Sequence, residues 1–275
     1  MNAAWYNRLY HTFLLTIPEE NSPCYHSLFC FIYEISCYEH YPRESMDKLS
    51  KTVRTSENRR CLLLEVYDVL ECSIGPTNWW PAETPFEVCI GAILTQNAPW
   101  SGVMSAIANL KGLGIFTASS IAETDTRVLA QAVRPSIYYN QKALRLRTFC
   151  RFLLDEFDGK IENMTVLELD NARRRLLALS GIGYETADSI LLYALKKPVF
   201  VVDAYTKRIL TRHGLAEPVW GYEDLRVFFE DVFEPDPDFY GEFHALLCLL
   251  GADACKRKPR CDECPVCNVL GKPVL

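Results

Sequence analysis

The chain has 275 residues, of which 49% are hydrophobic and 23% are charged. This composition excludes a fibrous or disordered chain, and the length predicts one large domain or two closely associated ones. The net charge of −6 at pH 7 argues mildly against a nucleic-acid ligand. It does not exclude one, because binding depends on where Lys and Arg cluster rather than on their sum.

The N-terminus and the cysteine content bear on the compartment. Residues 1–19 contain a short apolar run but no basic leader followed by a small-residue cleavage site, which argues against a secretory signal. No stretch reaches the ~18 uncharged apolar residues of a membrane helix. We therefore expect a cytoplasmic protein without membrane contact. In that reducing environment, clusters among the 12 cysteines indicate metal binding.

The elements follow in chain order. Residues 1–60 contain no motif and form either a loosely packed extension or a regulatory or partner-binding appendage. Beyond them, apolar residues recur at helical spacing almost throughout. Thr165 and Glu168 predict a capping box that opens a helix ending near Leu179. The β-like run at 198–202 is too isolated to build a sheet, so we expect an all-α protein of about ten helices.

The first motif is an apolar helix around residues 85–95 that stops at Gln96 and Asn97. Trp100 lies one helical turn beyond this stop. An exposed indole there could stack on a planar ligand, whereas a buried one would cap the hydrophobic core. Both interpretations remain open from the residues alone.

The second motif is a turn between two amphipathic helices, built from Gly181, Ile182 and Gly183. Glycine permits positive φ and lets another backbone approach closely. The following helix, which contains Thr186, begins with free N–H groups that can bind a phosphate. Taken alone, this pattern is equally typical of a plain tight turn.

The third and fourth motifs carry potential chemistry. Asp203 follows a buried apolar run and opens a helix, where an N-cap is the ordinary interpretation. Near the C-terminus lie four closely spaced cysteines, Cys255, Cys261, Cys264 and Cys267. Four thiolates bind either zinc or an iron–sulfur cluster, and the spacing alone favours zinc. The first loop of this quartet is basic and could contact phosphates; it contains Lys256, Arg257 and Lys258.

Together, L-x-G-I-G-x-x-T-A at 179–187, V-D-x-x-x-x-R at 202–208 and the cysteine quartet resemble the endonuclease III-like DNA glycosylases of the helix-hairpin-helix superfamily. The resemblance implies two helical domains flanking a DNA-binding cleft. Residues 61–80 and 199–275 would form an iron–sulfur cluster domain, and residues 81–198 a six-helix barrel with the hairpin. The implied partner is double-stranded DNA with a damaged base, bound by a monomer.

The resemblance also implies roles for the residues. Asp203 would stabilise the oxocarbenium-like sugar as the base departs and would activate the nucleophile. The base pocket and wedge would comprise Gln96, Asn97, Trp100 and Glu185, because the base must leave the stack to be reached. DNA backbone contacts would come from Gly181, Ile182, Gly183, Thr186, Lys256, Arg257 and Lys258.

The cofactor implied by the resemblance is a [4Fe–4S] cluster, which the context K-P-x-C-x-x-C at 258–264 supports over zinc. The sequence departs from the family pattern in two gaps. The first gap is one residue shorter than usual, and the last has two residues rather than about five. Cys267 is therefore the least secure ligand.

The informative departure is Glu185, because bifunctional endonuclease III enzymes have a Schiff-base lysine at this position. A carboxylate cannot form a Schiff base, and Lys196 and Lys197 lie about three turns further along. We therefore expect a monofunctional glycosylase that leaves an abasic site.

The combination T-Q-N-x-x-W with G-I-G-x-E-T-A-D resembles the endonuclease III-type 3-methyladenine glycosylases, which implies an alkylated purine substrate. A bifunctional lyase, a mismatch glycosylase and a non-enzymatic cluster-bearing DNA-binding protein are the alternatives.

Overall fold

The computed structural model describes residues 55–273. The α-helices span Ser56–Ile74 (α1), Pro85–Leu94 (α2), Trp100–Gly112 (α3), Ala118–Glu123 (α4), Thr126–Ala132 (α5), Tyr139–Phe157 (α6), Leu169–Leu177 (α7), Tyr184–Ser189 (α8), Ala204–Arg212 (α9), Tyr222–Glu230 (α10), Pro237–Asp253 (α11) and Cys267–Leu270 (α12). Over these residues the chain forms no β-strand, which confirms the predicted all-α class. Of the predicted N-terminal extension, residues 1–60, the first 54 residues lie outside the described part of the chain.

Helix α2 forms the centre of the core. Pro85 at its first turn and Thr84, whose hydroxyl accepts from the Glu87 N–H at 3.1 Å, fix where it begins. Every residue from Glu87 to Leu94 is buried, so this helix has no polar face. It packs against α3, α6 and α8 with its continuation. The loop that follows α2 is thereby held rigidly, and this loop contains Gln96.

Helix α8 continues into a π-helical turn, Ile190–Ala194. The following residues 198–202 run extended through the core without pairing, and Glu230 accepts the N–H of Phe200 at 2.7 Å. The prediction that this run builds no sheet is confirmed for the described part of the chain. The run delivers the chain to the start of α9.

The predicted capping box at Thr165 and Glu168 is wrong. Residues Ile161–Val166 form a 3-10 helix, and the Thr165 hydroxyl donates to the Glu162 carbonyl at 2.7 Å. Glu168 occupies the N-cap of α7 without a side-chain capping bond. The Thr165 hydroxyl therefore bonds a nearby carbonyl instead of accepting a helix N–H. Ser and Thr side chains near turns often form such local bonds to the backbone.

Helices α9 and α11 pack closely, and a glycine makes this possible. A methyl group added at Gly251 would lie 2.5 Å from the Tyr205 side chain. The close approach brings the first residue before α9 against the middle of α11. Within residues 55–273 no helix combines the length and the apolar character that crossing a membrane requires.

Candidate active site

Asp203 caps α9 and also contacts α11. Its Oδ1 accepts the Thr206 backbone N–H at 2.7 Å, and its Oδ2 accepts from the Cys248 thiol at 3.2 Å. The N-cap interpretation is therefore confirmed, but it uses one oxygen only. Asp203 is partly exposed, so the carboxylate has a solvent side on which a substrate could lie.

Glu185, in the first turn of α8, is the second carboxylate of the site. Its side chain is exposed, yet the surrounding protein and then the charge of Asp203 raise the pKa of its carboxyl to about 7. Asp203 and Glu185 are thus near enough for their charges to interact, and the surface between them forms the candidate cleft.

A buried relay extends from Asp203 into α11 and the π-helical turn. The Cys248 sulfur lies 3.4 Å from Nε2 of His244, and Nδ1 of His244 lies 2.6 Å from the Tyr193 hydroxyl. That hydroxyl donates to the Gly241 carbonyl at 2.9 Å. Because the hydroxyl has one hydrogen, which the Gly241 carbonyl accepts, Nδ1 of His244 carries the ring proton and donates it to the hydroxyl. Nε2 is then unprotonated and faces the Cys248 sulfur. Burial lowers the pKa of His244 and raises that of Cys248, so the imidazole is neutral and the thiol protonated.

An aromatic cluster adjoins this relay. The ring of Trp80 lies 5.5 Å from Tyr193 and 5.4 Å from Trp100, and Trp79 lies 6.2 Å from Trp100. Trp100 is partly buried, as a residue that both packs and lines a cleft would be. The indole N–H of Trp79 is buried without a hydrogen-bond acceptor.

The loop with the two tryptophans is held by α11. The Glu242 carboxylate accepts the backbone N–H of Thr77 at 2.7 Å and its hydroxyl at 2.8 Å. Helix α11 thus holds the tryptophan loop through Glu242 on one face and carries His244 and Cys248 on another. These contacts join segments more than 160 residues apart in sequence, which no local pattern could reveal.

Gln96 lies against the glycine hairpin. Its amide donates to the Gly181 carbonyl at 3.0 Å and to the Thr186 hydroxyl at 2.8 Å, and its oxygen accepts from Arg145. Gly181 has φ +86°, and a methyl group there would strike the Arg145 side chain. Ile182 is buried beneath the turn and anchors the hairpin to the core. The structure thus brings together Gln96, Gly181 and Thr186, three of the predicted site residues.

Asn97 and Gly183 complete this region. Asn97 is exposed with φ +52°, a left-handed conformation that reverses the chain after α2. Gly183 is the exposed N-cap residue of α8 and has no side chain to cover the helix N-terminus. The hairpin therefore presents free backbone N–H groups to solvent.

A buried ion pair ties the hairpin helices together. Arg173 of α7 donates to Asp188 of α8 through Nε and Nη2, at 2.7 and 3.0 Å, and the same Nη2 donates to Glu223 of α10 at 2.5 Å. The Asp188 side chain is fully buried. Tyr222 of α10 accepts the Val202 N–H at 3.3 Å. Through α10, the hairpin is linked to the backbone immediately before Asp203.

The four C-terminal cysteines lie close together in the reduced form. Cys255 and Cys264 are buried, whereas Cys261 and Cys267 are partly buried. Burial and then its cysteine neighbours raise the pKa of Cys267 to about 12, and burial raises that of Cys264. Four crowded thiols cannot all ionise beside one another without a cation, so the donor set fits a metal or an iron–sulfur cluster.

Helix α9 also fixes the cysteine loop. Arg208 donates to the carbonyls of Cys255 and Gly251, at 2.7 and 3.0 Å, and Arg212 donates to the Cys255 sulfur at 3.2 Å. Arg212 also binds the carbonyls of Lys256 and Arg257. The side chains of Lys256, Arg257 and Lys258 are exposed, as expected for residues that meet phosphates. Asp203 and the cysteine quartet are thus anchored to the same short helix.

Comparison with known proteins identifies the class. Residues 90–235 match the family model described as HhH-GPD superfamily base excision DNA repair protein. A Methanocaldococcus jannaschii protein that carries the name DNA repair glycosylase is 41% identical over 212 residues, which cover 76% of this chain and 96% of that one. Endonuclease III of Escherichia coli is 29% identical over 191 residues, covering 69% and 84%. The chain therefore belongs to the helix-hairpin-helix superfamily of base excision repair DNA glycosylases.

Solved structures agree with this assignment. The 3-methyladenine DNA glycosylase of H. pylori, solved with 1,N6-ethenoadenine, is 32% identical with a TM-score of 0.61, covering 69% of this chain and 97% of that one. A non-covalent endonuclease III–DNA complex has a TM-score of 0.65 at 20% identity, covering 78% and 94%. The latter likeness shows the fold.

The sequence missed a second set of residues around the cleft: Trp79, Trp80, Tyr193, His244 and Cys248. His244 and Cys248 are four residues apart and so share one face of α11. That spacing was visible in the sequence, but nothing in it indicated that this face meets Asp203. The contact depends on the packing of α9 against α11.

Proposed function

We propose that the protein is a monofunctional DNA glycosylase that extrudes a damaged base, an alkylated purine, and hydrolyses its N-glycosidic bond to leave an abasic site. The observation that carries this proposal is the cleft in which Asp203 and Glu185 lie beside a tryptophan cluster. Carboxylates stabilise the positive charge that develops on the sugar, and aromatic faces bind a planar cationic base.

Asp203 acts on the sugar in this proposal. Its solvent-facing side lies opposite the developing oxocarbenium ion, while the Thr206 N–H and the Cys248 thiol hold the carboxylate in place. Water attacks the anomeric carbon, the bond to the base breaks, and the base leaves with the bond's electron pair. A base that is already cationic leaves as a neutral molecule and needs no general acid.

The proposal that no lyase step follows depends on the lysines near the cleft. Lys196 bonds Asp238 at 2.8 Å, and Lys197 binds the carbonyls of residues 165 and 167. Lys142 is buried and donates to the Leu94 carbonyl at 2.7 Å. Each of these amines is engaged away from Asp203, and Glu185 stands where a Schiff-base lysine would be expected. Sodium borohydride trapping on an abasic duplex tests this: a covalent adduct would contradict it.

The alkylated-purine preference has two supports. The tryptophan cluster offers aromatic faces for a cationic base. The 32% identical relative is named as a 3-methyladenine glycosylase and was solved with an ethenoadenine. A panel of duplexes with alkylated, oxidised and mismatched bases tests the preference, and release of thymine from a G·T mismatch alone would overturn it.

For DNA contact, we propose that the hairpin at residues 181–183, with Thr186, binds the backbone of the damaged strand. Lys256, Arg257 and Lys258 add positive charge on the side of the cysteine quartet. Gln96, with Asn97, fills the space that the extruded base leaves. In this arrangement residues 81–198 form the barrel domain, and residues 61–80 and 199–275 form the cluster domain.

The cysteine quartet would hold a [4Fe–4S] cluster, ligated by Cys255, Cys261, Cys264 and Cys267. The group supplies a structural cross-link that orders the basic loop, and the N–H bond from Arg212 to the Cys255 sulfur suits a cluster thiolate. An ultraviolet–visible spectrum distinguishes this cluster from zinc. Broad absorption near ~400 nm indicates the cluster, whereas a colourless protein that contains zinc would contradict the cluster assignment.

The decisive test of catalysis is Asp203→Asn. We expect base release to fall by about 100- to 1,000-fold, the range seen when one electrostatic group of an active site is removed, with duplex binding retained. Asp236→Asn is the matched control, because Asp236 also caps a helix, α11, and accepts backbone N–H groups at 2.9 and 3.2 Å. Equal activity in the two variants would refute the role of Asp203 and would favour a DNA-binding protein without catalysis.

A further inference from the structure

Asp203, His244 and Cys248 offer one carboxylate oxygen, one imidazole nitrogen and one sulfur, all within 4.8 Å of one another. This set combines a largely buried carboxylate with two buried side chains from one face of α11. The three residue types are the common protein ligands of Zn²⁺. The set shares no residue with the C-terminal cysteine quartet.

Two of the three donor separations suit a tetrahedral ion, and all three lie within 4.8 Å. Zn²⁺ bonds of about 2.3 Å to sulfur and about 2.0 Å to nitrogen or oxygen, at tetrahedral angles, separate the donor atoms by about 3.5 Å. The Cys248 sulfur lies 3.2 Å from the Asp203 oxygen and 3.4 Å from the His244 nitrogen. The side chains therefore stand close to ligand positions without rearrangement of the backbone.

The histidine is oriented as metal-bound histidines are. Its Nδ1 faces the Tyr193 hydroxyl at 2.6 Å, and that hydroxyl is fixed by the Gly241 carbonyl at 2.9 Å. Metal-ligating histidines use their second nitrogen in this way, which fixes the tautomer and directs the free nitrogen at the ion. Nε2 of His244 is thereby directed at Cys248 and away from Tyr193.

The charge around the site also suits a cation. The charged groups that act on Cys248 are the carboxylates of Asp203 and Glu185, which also repel each other. A cation at the site would relieve this accumulation of acidic groups. Because Asp203 is partly exposed, the fourth coordination position is left for water.

We propose that Asp203, His244 and Cys248 form a binding site for Zn²⁺ whose occupation withdraws the Asp203 carboxylate from catalysis and so inhibits base excision. On binding, the Cys248 thiol loses its proton to solvent and its sulfur bonds the ion, so one proton is released for each Zn²⁺ bound. The inhibitory part rests on the catalytic role proposed for Asp203, whereas the binding part rests on the geometry of the three ligands.

The binding test is equilibrium dialysis and calorimetry of the full-length protein, as purified, with Zn²⁺. Wild type is expected to bind one more equivalent of Zn²⁺ than Cys248→Ser, which keeps the size and the hydrogen-bond donor of the thiol. Cys72→Ser, an exposed thiol of α1, is the control for loss of any cysteine and is expected to match wild type. Tyr193→Phe removes the hydroxyl that orients His244 and is expected to weaken Zn²⁺ binding about 10–100-fold.

Two results would overturn the proposal. Equal Zn²⁺ stoichiometry and affinity in wild type and Cys248→Ser would refute the site. Full base excision with the extra equivalent bound would refute inhibition. If wild type released no base from any duplex, the proposed function would fail, yet the dialysis result would still decide whether the three residues bind Zn²⁺.

Discussion

The carboxyl of Glu185 is expected to titrate in the neutral range, which gives excision a defined pH dependence. Protein around it, and then the charge of Asp203, raise its pKa to about 7. The carboxyl is protonated below that pH and ionised above it. The ionised fraction therefore rises from roughly a tenth at about pH 6 to roughly nine tenths at about pH 8.

An ionised Glu185 attracts a cationic base into the cleft, so kcat/KM for a duplex with an alkylated purine should rise about tenfold across this range. Glu185→Gln keeps the shape of the side chain and cannot ionise, so its profile should be flat over the same interval. The assay is base release at constant ionic strength, with each rate corrected for spontaneous depurination.

The control is Glu217→Gln, which removes an exposed carboxylate between α9 and α10. Its profile should follow that of wild type. If Glu185→Gln retained a tenfold rise centred near pH 7, another group would be titrating and the argument for Glu185 would be refuted.

Two further predictions concern the frame that holds the cleft. Asp188→Ala leaves Arg173 partly buried with its main partner gone, and should lower the free energy of unfolding by about 3–5 kcal/mol, measured by urea denaturation; a loss below about 1 kcal/mol would show that the pair is unimportant. Gly251→Ala forces a methyl group to within 2.5 Å of Tyr205 and should cost about 1–3 kcal/mol. Gly112→Ala, which meets no atom within 4 Å, is its control and should be neutral or slightly stabilising; equal effects would contradict the close-contact explanation.

Several parts of the structure could be predicted because their signals are local. Helical periodicity predicted the all-α class. The predicted stop at Gln96 lies just after the end of α2, and Gly183 lies just before the start of α8. The N-cap position of Asp203 was also predictable, because a carboxylate before a helix accepts its free N–H groups. The capping box at Thr165 failed because the hydroxyl had a nearer carbonyl to bind.

The linear sequence by itself determined the helices, the hairpin, the cysteine quartet and, through their order, the glycosylase family. Only the tertiary structure decided what surrounds Asp203. The packing of α9 on α11 at Gly251 placed His244 and Cys248 behind the carboxylate, and Glu242 drew the tryptophan loop to the same helix. Local periodicity shows which face of a helix is buried but not against which partner, so contacts between distant segments appear only once the chain has folded.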